Sequence, residues 1–209
     1  LRGLQKSYME VSHMKRVLEN DFLKVTIDDH GAELVSIYDK EKEHEVIWQG
    51  DPAFWGRHAP VLFPNVGKHY QNCYRTGGKE YASKQHGFAR DTDFTCIDST
   101  PDSVTHQIRS TEETLKVYPF EFILRIRHIL RGRTLTVSWK VANNSEKDMY
   151  FAIGGHPAFN VPILPDTKRS DYRLTFDGQD SLTYLLLDPE TGTAKADEKA
   201  TLVLDNGTC

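Results

Sequence analysis

The chain of 209 residues carries 26 basic and 30 acidic side chains, a formal net charge of −4. That balance is too slight for the electrostatic footprint of a nucleic-acid binder, and no stretch approaches the roughly 20 apolar residues that a membrane helix needs. Cys73, Cys96 and Cys209 are odd in number, widely spaced and free of any CxxC, which argues against a disulfide framework or a thiolate zinc site.

In chain order, Ser12-His13-Met14 reads as a cloning scar, so residues 1–13 are expected to be an expression leader and residues 14–209 a single domain. The N-terminus has no apolar signal-peptide core, so a soluble cytoplasmic protein is expected. The sequons at Asn143-Asn144-Ser145 and Asn206-Gly207-Thr208 then read as chance. Leu23, Val25 and Ile27 alternate with polar residues, and Asp28-Asp29-His30-Gly31 turns the chain toward a second strand from Leu34 to Tyr38. From Trp48 to Arg90 the alternation fails, and the pattern predicts long loops at one end of a sheet. A weak helical pattern covers 111–117. Phe122, Leu124, Ile126 and His128 line one strand face. After the turn Arg131-Gly132-Arg133, Leu135, Val137, Trp139 and Val141 line an alternating partner that ends at Asn143. Further strands are predicted at 172–176 and 182–187. Leu202-Val203-Leu204 leads into Asn206-Gly207, a strong hairpin signal with no returning strand after it, so the chain is expected to stop short of its natural end. Period-two alternation with a turn every dozen or so residues predicts an all-β, antiparallel sandwich or barrel.

The irregular stretch is the chemically dense one. Trp55, Arg57, His58, Phe63, Asn65, Lys68, His69, Tyr70, His86 and Arg90 fall within it. Aromatic faces beside amide, guanidinium and imidazole groups suit a polyhydroxylated ligand, whose C–H faces stack while its hydroxyls find partners. Ordinary buried aromatics with surface charges would give the same composition.

Three blocks carry more specific information: Ala59-Pro60-Val61-Leu62-Phe63-Pro64-Asn65-Val66-Gly67-Lys68, Gln85-His86-Gly87-Phe88-Ala89-Arg90-Asp91, and Gly154-Gly155-His156-Pro157-Ala158-Phe159-Asn160. Together, and in this order, they resemble the aldose 1-epimerase (galactose mutarotase-like) family, most closely its bacterial LacX-type branch. The resemblance runs from about Lys15 onward and implies a large antiparallel β-sandwich (a supersandwich) with a sugar cleft across one face. The implied reaction interconverts α and β anomers of an aldose by ring opening and closure. It consists of proton transfers only and so needs no cofactor and no metal. The resemblance makes His156 the general acid on the ring oxygen and His86 a second catalytic histidine that bonds the sugar and stabilises developing charge. Lys68 falls where many members carry arginine; with Arg90, Asn65 and Arg57 it is a substrate-binding candidate.

Each residue also has a purely structural reading. His156 could be a satisfied histidine in a tight bend, and Arg90 could anchor a turn through Asp91 or Asp93. No HxH or HExxH spacing occurs, so a metal site is not expected. The resemblance places the general base on a glutamate late in the family fold. Glu190 and Glu198 match no motif for it, and the family's sugar-binding aspartate has no counterpart here. The 209-residue chain alone is therefore expected to be weak or inactive, with a small-molecule sugar as its partner and a monomer or homodimer as its state. A hexose-6-phosphate 1-epimerase and a non-catalytic carbohydrate-binding protein are the alternative functions.

Overall fold

A computed structural model describes residues 14–205 and Thr208; the expected leader at 1–13, the Asn206-Gly207 turn and Cys209 lie outside the described residues. Strands β1 (Lys15–Glu19), β2 (Leu23–Asp28), β3 (Leu34–Asp39) and β4 (His44–Glu45) form an antiparallel sheet in sequence order. The alternation in β2 works as predicted: Leu23, Val25 and Ile27 are buried and the residues between them are not.

The chain continues through β5 (Val61–Leu62), a hairpin of β6 (Cys73–Thr76) and β7 (Lys79–Ala82), β8 (Thr95–Ser99), β9 (Ser103–Arg109), helix α1 (Glu112–Val117), β10 (Phe122–Arg131) and β11 (Thr134–Asn143). A two-residue strand β12 (Gly154–Gly155) and a hairpin of β13 (Ser181–Leu187) with β14 (Ala194–Val203) follow. The second large sheet has the order β11-β10-β9-β8. Its central hairpin pairs Leu124 with Val141, Ile126 with Trp139, His128 with Val137 and Leu130 with Leu135, so the two predicted apolar faces fall on the same side. Val137 and Trp139 stay 40% exposed because β11 is the edge strand of that sheet.

The two sheets pack face to face. Leu18, Leu23, Val25, Ile27 and Leu34 meet Val104 and Leu130 in one apolar cluster. A second cluster gathers Phe94, Phe122, Leu124 and Ile126 around Val61 and Phe63, and thereby seats β5. Full burial of each such side chain contributes about 1.5–3 kcal/mol, so β5 is among the more firmly held segments despite its length.

Two histidines sit inside this packing. His128 and His106, on neighbouring strands, are 1% and 0% exposed, with ring centroids 6.4 Å apart. His106 Nε2 lies 2.9 Å from a carboxylate oxygen of Asp29, which Arg16 grips through two further hydrogen bonds of 2.9 and 2.8 Å. Burial, with His106 adding a smaller contribution, pushes the His128 pKa down to about 3, so the ring is neutral.

Several elements differ from the sequence expectation. The loop region contains the β6–β7 hairpin, whose four-residue strands are too short to show a period. Its legible signal is Gly77-Gly78, at φ 55° and 74°. Residues 172–176 form no strand. The Tyr172 hydroxyl accepts the backbone N–H groups of Ile163 and Leu164 at 2.8 and 3.0 Å, tying that segment into a local loop. The predicted strand at 182–187 is present, and β14 returns along it, so Leu202 and Val203 already lie in the second arm of a hairpin. The weak helical pattern becomes α1, started by a Thr111–Thr114 capping box. Among the described residues no helix is long and apolar enough to cross a membrane.

Candidate functional site

GGHPAFN is an extended segment held on both edges. Gly154 and Gly155 pair with Leu62 and Val61. The His156 N–H then donates to the Pro60 carbonyl at 3.1 Å and that of Ala158 to the His58 carbonyl at 2.9 Å. On the other edge the Trp48 N–H donates to the Ala158 carbonyl at 2.9 Å, and the Asn160 amide reaches the carbonyls of Glu45 and Ile47. The glycines permit close packing, since a Cβ on Gly155 would stand 3.2 Å from the Trp139 ring. His156 is thus fixed at its backbone while its side chain stays exposed.

QHGFAR docks against Phe63, at the end of β5, the strand that pairs with Gly154 and Gly155. The N–H groups of Phe88 and Ala89 both donate to the Phe63 carbonyl, at 3.0 and 3.1 Å. Gly87 cannot be replaced: its φ is +71°, and a Cβ there would lie 2.1 Å from the Phe63 oxygen. His86 itself has φ +66°, a left-handed conformation that costs a non-glycine residue about 1–2 kcal/mol. A two-way clasp holds it there. The His86 N–H donates to the Gly67 carbonyl at 2.8 Å, and the Gly67 N–H donates back to His86 Nδ1 at 3.0 Å.

That clasp determines the chemistry of the ring. A nitrogen that accepts an N–H carries no proton, so the proton of neutral His86 resides on Nε2. Burial, followed by the nearby positive charges of Arg90, His156 and Arg57, lowers the His86 pKa and keeps the ring neutral. His86 therefore presents a fixed Nε2 donor. The two imidazoles, far apart in sequence, stand with ring centroids 6.1 Å apart at 63°, and Trp55 closes on His156 at 5.2 Å.

The other predicted residues divide by what their polar atoms already do. Arg57 donates to an Asp91 carboxylate oxygen at 2.7 Å and to the Arg90 carbonyl at 3.4 Å. Arg90 donates to the Gln85 carbonyl at 2.9 Å and has its Nε 4.0 Å from Asp91, so it props up the His86 segment while lending it positive charge. Asp93 is engaged by His30 instead, at 2.6 Å. The Asn65 amide nitrogen is spent on the carbonyls of Gly67 and Lys84, at 3.1 and 3.2 Å, which ties the Lys68 loop to the His86 segment. Lys68 is exposed, and its aliphatic stem runs beside Gly192 in the turn between β13 and β14. In that hairpin Glu198 pairs with Lys195 at 2.9 Å, and the Glu190 N–H donates to the Asp188 carboxylate. Among the described residues, no group of three His, Cys, Asp or Glu side chains could hold a metal ion.

Sequence reasoning overlooked Glu33. It is buried, and one of its carboxylate oxygens accepts the N–H groups of both His58 and Ala59, at 2.6 and 2.8 Å. Those residues lead into Pro60, whose carbonyl receives the His156 N–H, so Glu33 holds the strip against which His156 is set. A lone carboxylate in the apolar run Ala32-Glu33-Leu34-Val35 was its one legible trace.

Packed antiparallel sheets that bring the two motif histidines together edge-on are the architecture of galactose mutarotase-like proteins of known structure. Residues 14–206 match the aldose 1-epimerase family model, and the chain belongs to that family, on its LacX-type side. It is 36% identical over 181 residues to the chromosomal and plasmid LacX proteins of Lactococcus lactis subsp. lactis, covering 84% of this chain and 60% of each relative. The chain thus spans about 60% of the length of the curated relatives it matches. Among solved structures, a galactose mutarotase related enzyme from Lactobacillus acidophilus superimposes with a TM-score of 0.83 at 36% identity, over 92% of this chain and 65% of that one. A galactose mutarotase-like protein from Lactobacillus casei ATCC 334 gives 0.78 at 38% identity, over 93% and 70%.

Proposed function

We propose that the protein to which this chain belongs is a mutarotase for a free aldose, with His156 as general acid and His86 as hydrogen-bond donor. The observation that carries this reading is the 6.1 Å face-off between an exposed imidazole and one whose proton is confined to Nε2. Protonated His156 gives its proton to the ring oxygen as the C1–O bond breaks, while a base removes the proton of the C1 hydroxyl. The product is the open aldehyde. Rotation about C1–C2 and reclosure with the proton movements reversed yield the other anomer, and no atom is gained or lost. His86 Nε2 donates to a sugar oxygen on which charge accumulates, and its neutrality spares His156 a second cation at its side.

The base is assigned to neither Glu190 nor Glu198. The family resemblance puts it on a glutamate in a later part of the fold. Asp91 neutralises one edge of Arg57, which favours a free sugar over a phosphorylated one. Polarimetry of freshly dissolved α-glucose and α-galactose tests the proposal with the full natural chain. Mutarotation well above the buffer rate is expected, with residues 1–209 alone much slower. A full natural chain no faster than buffer removes the enzyme reading, and full rates from residues 1–209 place the base within this chain. Glucose 6-phosphate turned over in preference to glucose would restore the phosphate alternative.

A further inference from the structure

Imidazoles and hydrogen bonds can move the protons, but they do not hold the apolar face of a sugar. A pyranose ring in its chair form presents patches of C–H groups as well as hydroxyls. A hydroxyl-binding site without an apolar wall leaves the ring free to tilt, and tilting moves the ring oxygen away from its acid.

Trp55 lies where such a wall is required. Its ring centroid is 5.2 Å from that of His156, with the planes inclined at 44°. Ring planes inclined at that angle are neither stacked nor perpendicular, so they diverge as the two sides of a wedge. The indole is only partly buried, and the imidazole opposite it is exposed. Its backbone is fixed rather than adaptable: the Trp55 N–H donates to the Asp51 carbonyl at 2.8 Å, and the Trp48 indole N–H donates to the Trp55 carbonyl at 2.8 Å. Trp48 is itself hydrogen-bonded to Ala158, two residues beyond His156. The loop that carries the indole and the strand that carries the acid are therefore one mechanical unit. A core role alone accounts poorly for this placement, because Trp55 belongs to neither buried apolar cluster.

We infer that Trp55 is a substrate-binding residue whose indole supports the C–H face of a pyranose ring in the wedge it forms with His156. The inference rests on the proposed sugar site, and it narrows the ligand to six-membered ring sugars with a continuous C–H patch beside the ring oxygen. It also predicts discrimination: hydroxyls that project axially into the wall side hinder stacking, so anomer exchange is slower for sugars that lack the flat face.

The test uses the full natural chain labelled with 5-fluorotryptophan. The three tryptophans, Trp48, Trp55 and Trp139, give three fluorine resonances, and W55F assigns the middle one of the sequence. Titration with glucose and with galactose is expected to shift the Trp55 resonance, with Trp48 and Trp139 moving much less. In saturation-transfer NMR, W55A is expected to raise KM about tenfold, corresponding to loss of contact with one ring face, whereas W55F recovers most of that loss. Melting temperatures of both variants show whether the loop has collapsed. A Trp55 resonance unmoved at saturating sugar, or a W55A variant with KM within twofold of the parent, overturns the inference. Sugar that shifts Trp55 without any catalysed exchange would remove the mutarotase reading and leave the stacking role standing.

Discussion

The molecule contains two histidine pairs of nearly the same internal geometry. His86 and His156 stand 6.1 Å apart at 63°, His106 and His128 6.4 Å apart at 83°. One pair belongs to the candidate site and the other to a core, and the imidazoles themselves do not distinguish them. Surroundings do. His106 and His128 lie between two sheets, cut off from solvent, with Nδ1 of each finding no partner among the described residues; His106 spends its Nε2 on Asp29, and His128 is a neutral ring packed in the core. His86 is clasped by Gly67 and ringed by positive charge, its Nε2 meeting the Gln85 side-chain amide only at 3.4 Å, while His156 opens to solvent. Close approach of two imidazoles therefore carries no functional meaning until the hydrogen-bond partner and the solvent exposure of each nitrogen are known.

Substitutions can separate the pairs. The largest effect is expected from H156A in the full natural chain. Loss of a general acid should lower the catalysed mutarotation rate by about 100- to 10,000-fold, with the melting temperature nearly unchanged because the side chain is exposed. A rate within threefold of the parent would reassign the acid.

The core pair is expected to show itself through acid sensitivity. An unfolded His128 takes up a proton below about pH 6.5, whereas the folded one resists until about pH 3. In that window the unfolded chain binds more protons, so stability falls as the pH falls, by on the order of 5 kcal/mol in total. Burial lowers the His106 pKa as well, and Arg16 lowers that of Asp29, so both steepen the acid side in the same direction. Urea titrations from pH 7 to pH 4 measure the slope, and H128L is expected to flatten it. An unchanged slope in H128L would mean that another group carries the acid sensitivity.

G87A tests the clasp. A methyl group 2.1 Å from the Phe63 oxygen, at φ +71°, is expected to cost about 3 kcal/mol or more and to displace His86, seen as a lowered urea midpoint and a lost His86 imidazole signature in the proton spectrum. The smallest effect is expected from Glu33. E33A leaves two backbone N–H groups without their carboxylate and should destabilise by about 2 kcal/mol, whereas E33Q keeps an acceptor and should recover half or more of that loss. Equal losses in the two variants would show that charge, not hydrogen bonding, is what Glu33 supplies.

Strand positions were legible where one face is buried and the other wet, as in β2 and β10, because period two then maps directly onto burial. The β6–β7 hairpin was not, because its strands are four residues each, too short to show a period, and only the glycine pair marks the turn. Residues 172–176 misled for the opposite reason: a short alternating run was captured by one tyrosine hydroxyl, a contact that periodicity cannot foresee. At the candidate site, the structure brings the two motif histidines, His86 and His156, within 6.1 Å of each other. The same motifs gave no hint that the Asn65 amide is consumed by the loop, or that Arg57 and Arg90 are partly occupied by Asp91 and by carbonyls.

By itself the sequence determined the β class, the main strands, the family and the two histidines, because these follow from local alternation and from short motifs whose residues are neighbours in the chain. Only the tertiary structure decided which nitrogen of His86 keeps its proton, which arginine edges are already spent, that Glu33 supports the His156 strip, and that Trp55 packs beside His156. Each of these depends on atoms brought within hydrogen-bonding or van der Waals reach across long stretches of chain, where a change of a few ångströms makes or removes the interaction.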